Sequence, residues 1–96
     1  MERSKARPIT INVRPEVAAF AQLRETKLSQ NDHKPSWRDC TPEWLLARLV
    51  EEVEELRQAI FWDKDPQHIA EEAADVANFA NFIADVVGGL EVQPVI

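Results

Sequence analysis

Two proline-led helix starts, Thr41-Pro42-Glu43-Trp44 and Asp65-Pro66, divide the second half of this chain into two long helical stretches with almost nothing between them. Threonine caps a helix well, proline suits its first turn, and an acidic residue there favours the N-terminal dipole. From the first start a helix is expected to about Trp62, because Leu46, Leu49, Val50, Val53, Leu56 and Ile60 recur at three- and four-residue intervals and form one stripe. From the second start a helix is expected to about Val87, where Gly88-Gly89 stops it. The connection, residues 63–65, is short enough to make the two helices antiparallel neighbours. Upstream, Pro15 opens a further helix after Arg14 that runs to about Gln30, and Asn31 to Cys40 reads as a connecting loop.

The chain has only two glycines, which argues against a sheet-rich fold with many tight turns and against a Gly-rich phosphate loop. The expected organisation is an N-terminal arm (residues 1–14), a helical domain (15–88) and a C-terminal tail (89–96). Within the arm, Ile9 to Val13 alternates as a short strand does. The fold expected is an all-α antiparallel bundle of about three helices per protomer. A third helix apolar on most sides, in a chain of 96 residues, leaves surface uncovered in a monomer. A homo-oligomer, dimer or tetramer, is therefore expected to complete the bundle.

A net charge of −6 makes a nucleic acid polymer a poor partner. A lone cysteine, Cys40, excludes an internal disulfide and fits a reducing, cytoplasmic setting. No run approaches the roughly 18 apolar residues of a membrane span, so no membrane partner is expected.

The chemistry points to carboxylates. At about 100° per residue, Glu72 and Asp75 lie roughly 60° apart, within the apolar face built by Val76, Phe79, Ile83 and Val86. A carboxylate inside an apolar stripe loses hydration and is costly unless paired or bound to a metal. Glu52 and Glu55 repeat the i, i+3 spacing in the second helix, flanking Leu49, Val53 and Leu56, with Ala59 on the same side. Glu51 and Glu54 point further from that side, either to solvent or to a place behind the ligands that supports them. Two carboxylate pairs can thus face each other across the interface. Four hard oxygen donors suit Mg²⁺, with Mn²⁺ as a substitute, rather than zinc. A di-iron site wants Glu-x-x-His on two helices, and His68 precedes Glu71 instead.

Glu-Glu-x-x-Glu, a gap of 16 residues, then Glu-x-x-Asp resembles the MazG-type, all-α nucleotide pyrophosphohydrolases. The likeness covers about residues 41–88 and includes Leu-Val-Glu-Glu-Val-Glu-Glu-Leu (49–56) and Glu-Glu-Ala-Ala-Asp-Val-Ala-Asn (71–78). Glu54 departs from it, since many relatives carry glycine there; a solvent-facing position tolerates the change. The resemblance implies hydrolysis of a nucleoside triphosphate between the α and β phosphates, to a monophosphate and pyrophosphate. It makes Glu52, Glu55, Glu72 and Asp75 the metal-binding and catalytic set.

Other residues carry two readings each. Trp62 follows Glu55 by seven residues; in relatives an aromatic there stacks on the base, and otherwise it plugs the helix end. Trp37, in Lys34-Pro-Ser-Trp-Arg38, is either a base-facing lid or ordinary packing. Phe79 and Phe82 read first as core and second as walls of a base pocket. Asn78, one turn beyond Asp75, either binds substrate or is surface polarity. Lys27, Lys34 and Arg38 form a group of candidate cations for the triphosphate. His33, His68 and Cys40 show no partners at ligand spacing and receive no role. Two rival functions remain: a non-catalytic helical interaction or regulatory dimer, and a nucleotide-binding sensor without turnover.

Overall fold

The computed structural model describes residues 12–92. Three helices make up the architecture: α1 (Pro15–Ser29), α2 (Pro42–Gln58) and α3 (Pro66–Val86), with a 3₁₀ turn at Trp37–Asp39 in the loop before α2. The arm and tail expected at the two ends fall largely outside the described residues. So does most of the strand expected at residues 9–13, and Asn12 and Val13 are not in a strand.

The helix starts follow the local chemistry. Thr41 Oγ1 accepts the Trp44 N–H at 3.1 Å, and Asp65 Oδ2 accepts the His68 N–H at 3.3 Å. At the far end of α3, Gly88 takes a positive φ of 79°. The Gly89 N–H then reaches the Ala84 carbonyl at 2.9 Å and the Gly88 N–H reaches Asp85 at 2.9 Å, which is the Schellman arrangement.

One boundary differs from the expected course. The second helix does not run to Trp62 in α-helical form: Ala59–Asp63 widens into a π turn, closed by the Lys64 N–H on the Ala59 carbonyl at 2.7 Å. Lys64 itself sits in the left-handed region at φ 63°. The wider turn is invisible to a 3.6-residue pattern, because its residues remain helical in spacing.

Both α1 and α2 pack on α3, which is the shared element. The α2–α3 pairing is antiparallel. The charges of Asp75 and Glu72 act on Glu52, and farther along Arg48 lies over the Phe79 ring. Leu45, Ala59 and Ala74 form the fully buried apolar core among the described residues. Helix α1, with no buried residue, is pinned by polar contacts instead. Arg24 donates from Nε to Asn78 Oδ1 at 3.0 Å and from Nη2 to Asn81 Oδ1 at 2.8 Å, while Asn78 Nδ2 returns a bond to the Arg24 carbonyl at 3.2 Å.

The face of α2 that meets α3 is the expected stripe only in part: Leu49 and Leu56 are half-buried, but the other four members are not. Leu45, Glu52 and Ala59 are buried, whereas Leu46, Val50, Val53 and Ile60 are 44–59% exposed. The bare apolar surface therefore lies chiefly on α2, not on the more apolar α3, whose large side chains are mostly half-buried between its two neighbours. Periodicity ranks faces by hydrophobicity, but the short turn and the small Ala59 and Ala74 decide which face closes against the partner helix.

Candidate metal centre and nucleotide cleft

Glu52, Glu55 and Glu72 each present an oxygen within 4.8 Å of the other two. Helix α2 supplies the first two at i, i+3, and α3 supplies the third across the antiparallel interface. Glu52 is only 7% exposed. Its pKa is pushed up from 4.5 to about 7, first by desolvation, then by the charges of Glu55 and Asp75, against a partial offset from Arg48. Glu72 Oε1 is buried and has no hydrogen-bond partner. An unpartnered carboxylate oxygen in a crowd of carboxylates is unfavourable without a cation, and the all-oxygen donor set suits a hard divalent ion. By that test the residues fit Mg²⁺ or Mn²⁺.

Asp75, the fourth expected carboxylate, faces Glu52 but is engaged by Lys27 Nζ at 3.4 Å. Its pKa is raised by burial, with Lys27 pulling the other way. Glu51 and Glu54 are exposed; Glu51 pairs with Arg48, and Glu54 Oε2 with Arg57 at 3.0 Å. Their outward position agrees with expectation, including for Glu54 in place of glycine.

On one side of the cluster opens a cleft of about 670 Å³, lined by Lys27, Lys34, Arg38, Arg48, Trp44 and Phe79, with Glu52 and Asp75 at its floor. That size suits a small-molecule ligand. Arg48 was absent from the expected cation group. Its Nη2 lies 3.6 Å from Glu52 Oε2 and its guanidinium 5.2 Å from the Phe79 centroid. The i, i+4 spacing of Arg48 and Glu52 was the available signal.

Trp37 is built into this end. It stacks on Phe82 at 4.4 Å and donates its indole N–H to Asp85 Oδ2 at 2.9 Å, and Arg38 lies 4.3 Å from its ring centre. Phe79 meets Phe82 edge-on at 5.4 Å. Asn78 is 4% exposed, and both ends of its amide are taken up by Arg24. On the other side of the cluster a smaller hollow is bordered by Gln58, Trp62, Asp63 and His68. Trp62 is 78% exposed. His68, given no role from sequence, meets Glu72 Oε2 through Nε2 at 3.1 Å and Asp63 through Nδ1. Its pKa is raised, chiefly by the bond to Asp63.

A helical hairpin whose antiparallel interface gathers three carboxylates defines a candidate divalent-metal centre beside a cationic cleft. The MazG nucleotide pyrophosphohydrolase domain matches residues 40–96, and the chain belongs to that family. An uncharacterized protein of Archaeoglobus fulgidus is 43% identical over 47 residues, 49% of this chain and 50% of that protein. The chain thus matches about half the length of this curated relative. No solved structure matches the chain. Among the described residues, no helix is long and apolar enough to cross a membrane.

Proposed function

We propose that the chain hydrolyses nucleoside triphosphates between the α and β phosphates, with water, to a nucleoside monophosphate and pyrophosphate. The observation that carries this reading is the buried, unpartnered Glu72 Oε1 beside Glu52 and Glu55, with Glu52 also lining the neighbouring cation-rich cleft. Glu52, Glu55 and Glu72, with Asp75 beside them, would hold Mg²⁺ or Mn²⁺. When bound, the cation supplies neutralisation of phosphate charge and a more acidic water. Lys27, Lys34, Arg38 and Arg48 balance the rest of the triphosphate charge. Trp62 offers a bare ring face on which a base stacks. The uncovered stripe of Leu46, Val50 and Val53 is closed by a second copy of the chain, giving at least a homodimer.

The test is pyrophosphate release from a panel of NTPs and dNTPs with Mg²⁺, for wild type and Glu52→Gln. Release by wild type that disappears with EDTA and falls at least about 100-fold in the variant is expected. No release from any nucleotide sinks the proposal.

A further inference from the structure

The two oxygens of Glu72 have opposite surroundings. Oε2 meets His68 Nε2 at 3.1 Å, whereas Oε1 is buried without a partner. The other ring nitrogen of His68, Nδ1, is bonded to Asp63 Oδ2. The ring is therefore held at both ends, by the last residue of the π turn and by a residue one turn further along α3. It cannot swing without breaking one bond or the other.

The backbone fixes the same corner. Lys64, left-handed at φ 63°, closes the π turn and sets where Asp63 stands. Asp65 then caps α3 through the backbone N–H of His68 itself. Turn, cap and imidazole form one unit that ends on a single carboxylate oxygen.

We infer that His68 is a positioning residue: it holds Glu72 by Oε2 so that Oε1 alone is presented to a divalent cation shared with Glu52 and Glu55. This rests on the metal-dependent reading above. A glutamate free at both oxygens can rotate or chelate through both; one engaged from outside offers a single, aimed donor. Hydrogen bonds to the far side of a ligand commonly govern metal affinity, by about 10- to 100-fold. A purely structural tie between the turn and α3 would change thermal stability and leave metal affinity alone.

The deciding measurement is Mn²⁺ binding to the protein without nucleotide, followed by calorimetry and by the EPR signal of free Mn²⁺. Wild type, His68→Ala, His68→Gln and Glu72→Gln are compared, with Tm recorded for each. Loss of the ring leaves the Asp65 cap in place, because that bond uses the His68 backbone. Expected are binding about 10-fold weaker in His68→Ala, most of it regained in His68→Gln, whose amide N–H reaches the same oxygen, and none in Glu72→Gln. The inference is overturned if folded His68→Ala binds within about twofold of wild type while Glu72→Gln does not bind. It is equally overturned if His68→Gln restores Tm but not affinity, or if wild type binds no Mn²⁺. Wild type that binds Mn²⁺ with the expected ranking, yet releases no pyrophosphate, ends the hydrolase reading and leaves the role of His68 standing.

Discussion

Trp37 and Trp62 stand on opposite sides of the same carboxylates, and the chain treats them in opposite ways. Trp37 is tied down by Phe82, Asp85 and Arg38, so that α3, the loop and the cleft wall form one packed end. Trp62 leaves 78% of its surface bare at the end of a π turn. A ring stacked on another ring, with its N–H satisfied, is a strut; offering that face to a base would first break those contacts. A bare ring beside a carboxylate cluster is available to a base or to a second chain. One end of the site is built by side chains, the other by the backbone course of a turn.

The largest effect should come from Glu52, which lines the Trp37-side cleft and belongs to the carboxylate cluster between the two rings. Its pKa is about 7 in the fold against an ordinary 4.5, so between those values the folded protein binds more protons than the unfolded one. Without metal, the contribution of Glu52 to stability is therefore fully present below about pH 4.5 and is lost as pH rises to about 7, a loss below about 3 kcal/mol once solvent screening is counted. A cation binds the ionised form, so Mg²⁺ affinity rises with pH up to about 7 and then flattens. Tm followed from pH 5 to pH 8, with and without Mg²⁺, tests this. A metal-free Tm that does not fall over that range would remove Glu52 from the centre of the electrostatics.

The sequence carried the starts and stops well, because each is a local device: Thr41 and Asp65 cap, Pro15, Pro42 and Pro66 open, and Gly88 closes. The facing of Glu52, Glu55 and Glu72 was legible for a similar reason, since i, i+3 spacing and a three-residue link leave little geometric choice. What could not be read depends on partners far along the chain. Asn78 is engaged by Arg24, 54 positions away, and Trp37 by Asp85, 48 positions away; no local pattern encodes either pairing. His68 was missed although its i, i+4 partner, Glu72, was in view, because its second partner lies across a turn whose π form the periodicity hides.

The contrast between the two rings sharpens into a pair of substitutions. Trp37→Ala removes a half-buried ring, its stack and its hydrogen bond, and should cost about 2 kcal/mol, less than the 3–5 of a full core position. Trp62→Ala should cost under about 0.5 kcal/mol in stability, yet weaken nucleotide binding by about 10-fold through lost stacking. Urea unfolding and nucleotide KM, measured on both variants, separate the roles. If Trp37→Ala unfolds like wild type while its KM rises, the strut and the platform have been assigned the wrong way round.

The smallest effect concerns the turn that sets the open end. Lys64 occupies the left-handed region, which costs a residue with a Cβ about 1–2 kcal/mol. Glycine escapes that cost but gives back about 0.5–1 kcal/mol through its more flexible unfolded chain. Lys64→Gly should therefore be more stable than wild type by about 0.5 kcal/mol. Lys64→Val, with a branched Cβ at the same φ, should be less stable by at least about 1 kcal/mol. Urea midpoints of the two variants decide the matter, since they must move in opposite directions if backbone conformation holds this corner. Equal midpoints would mean that the His68–Asp63 bond, rather than the left-handed residue, fixes the π turn, and the open end would then be built by side chains as well.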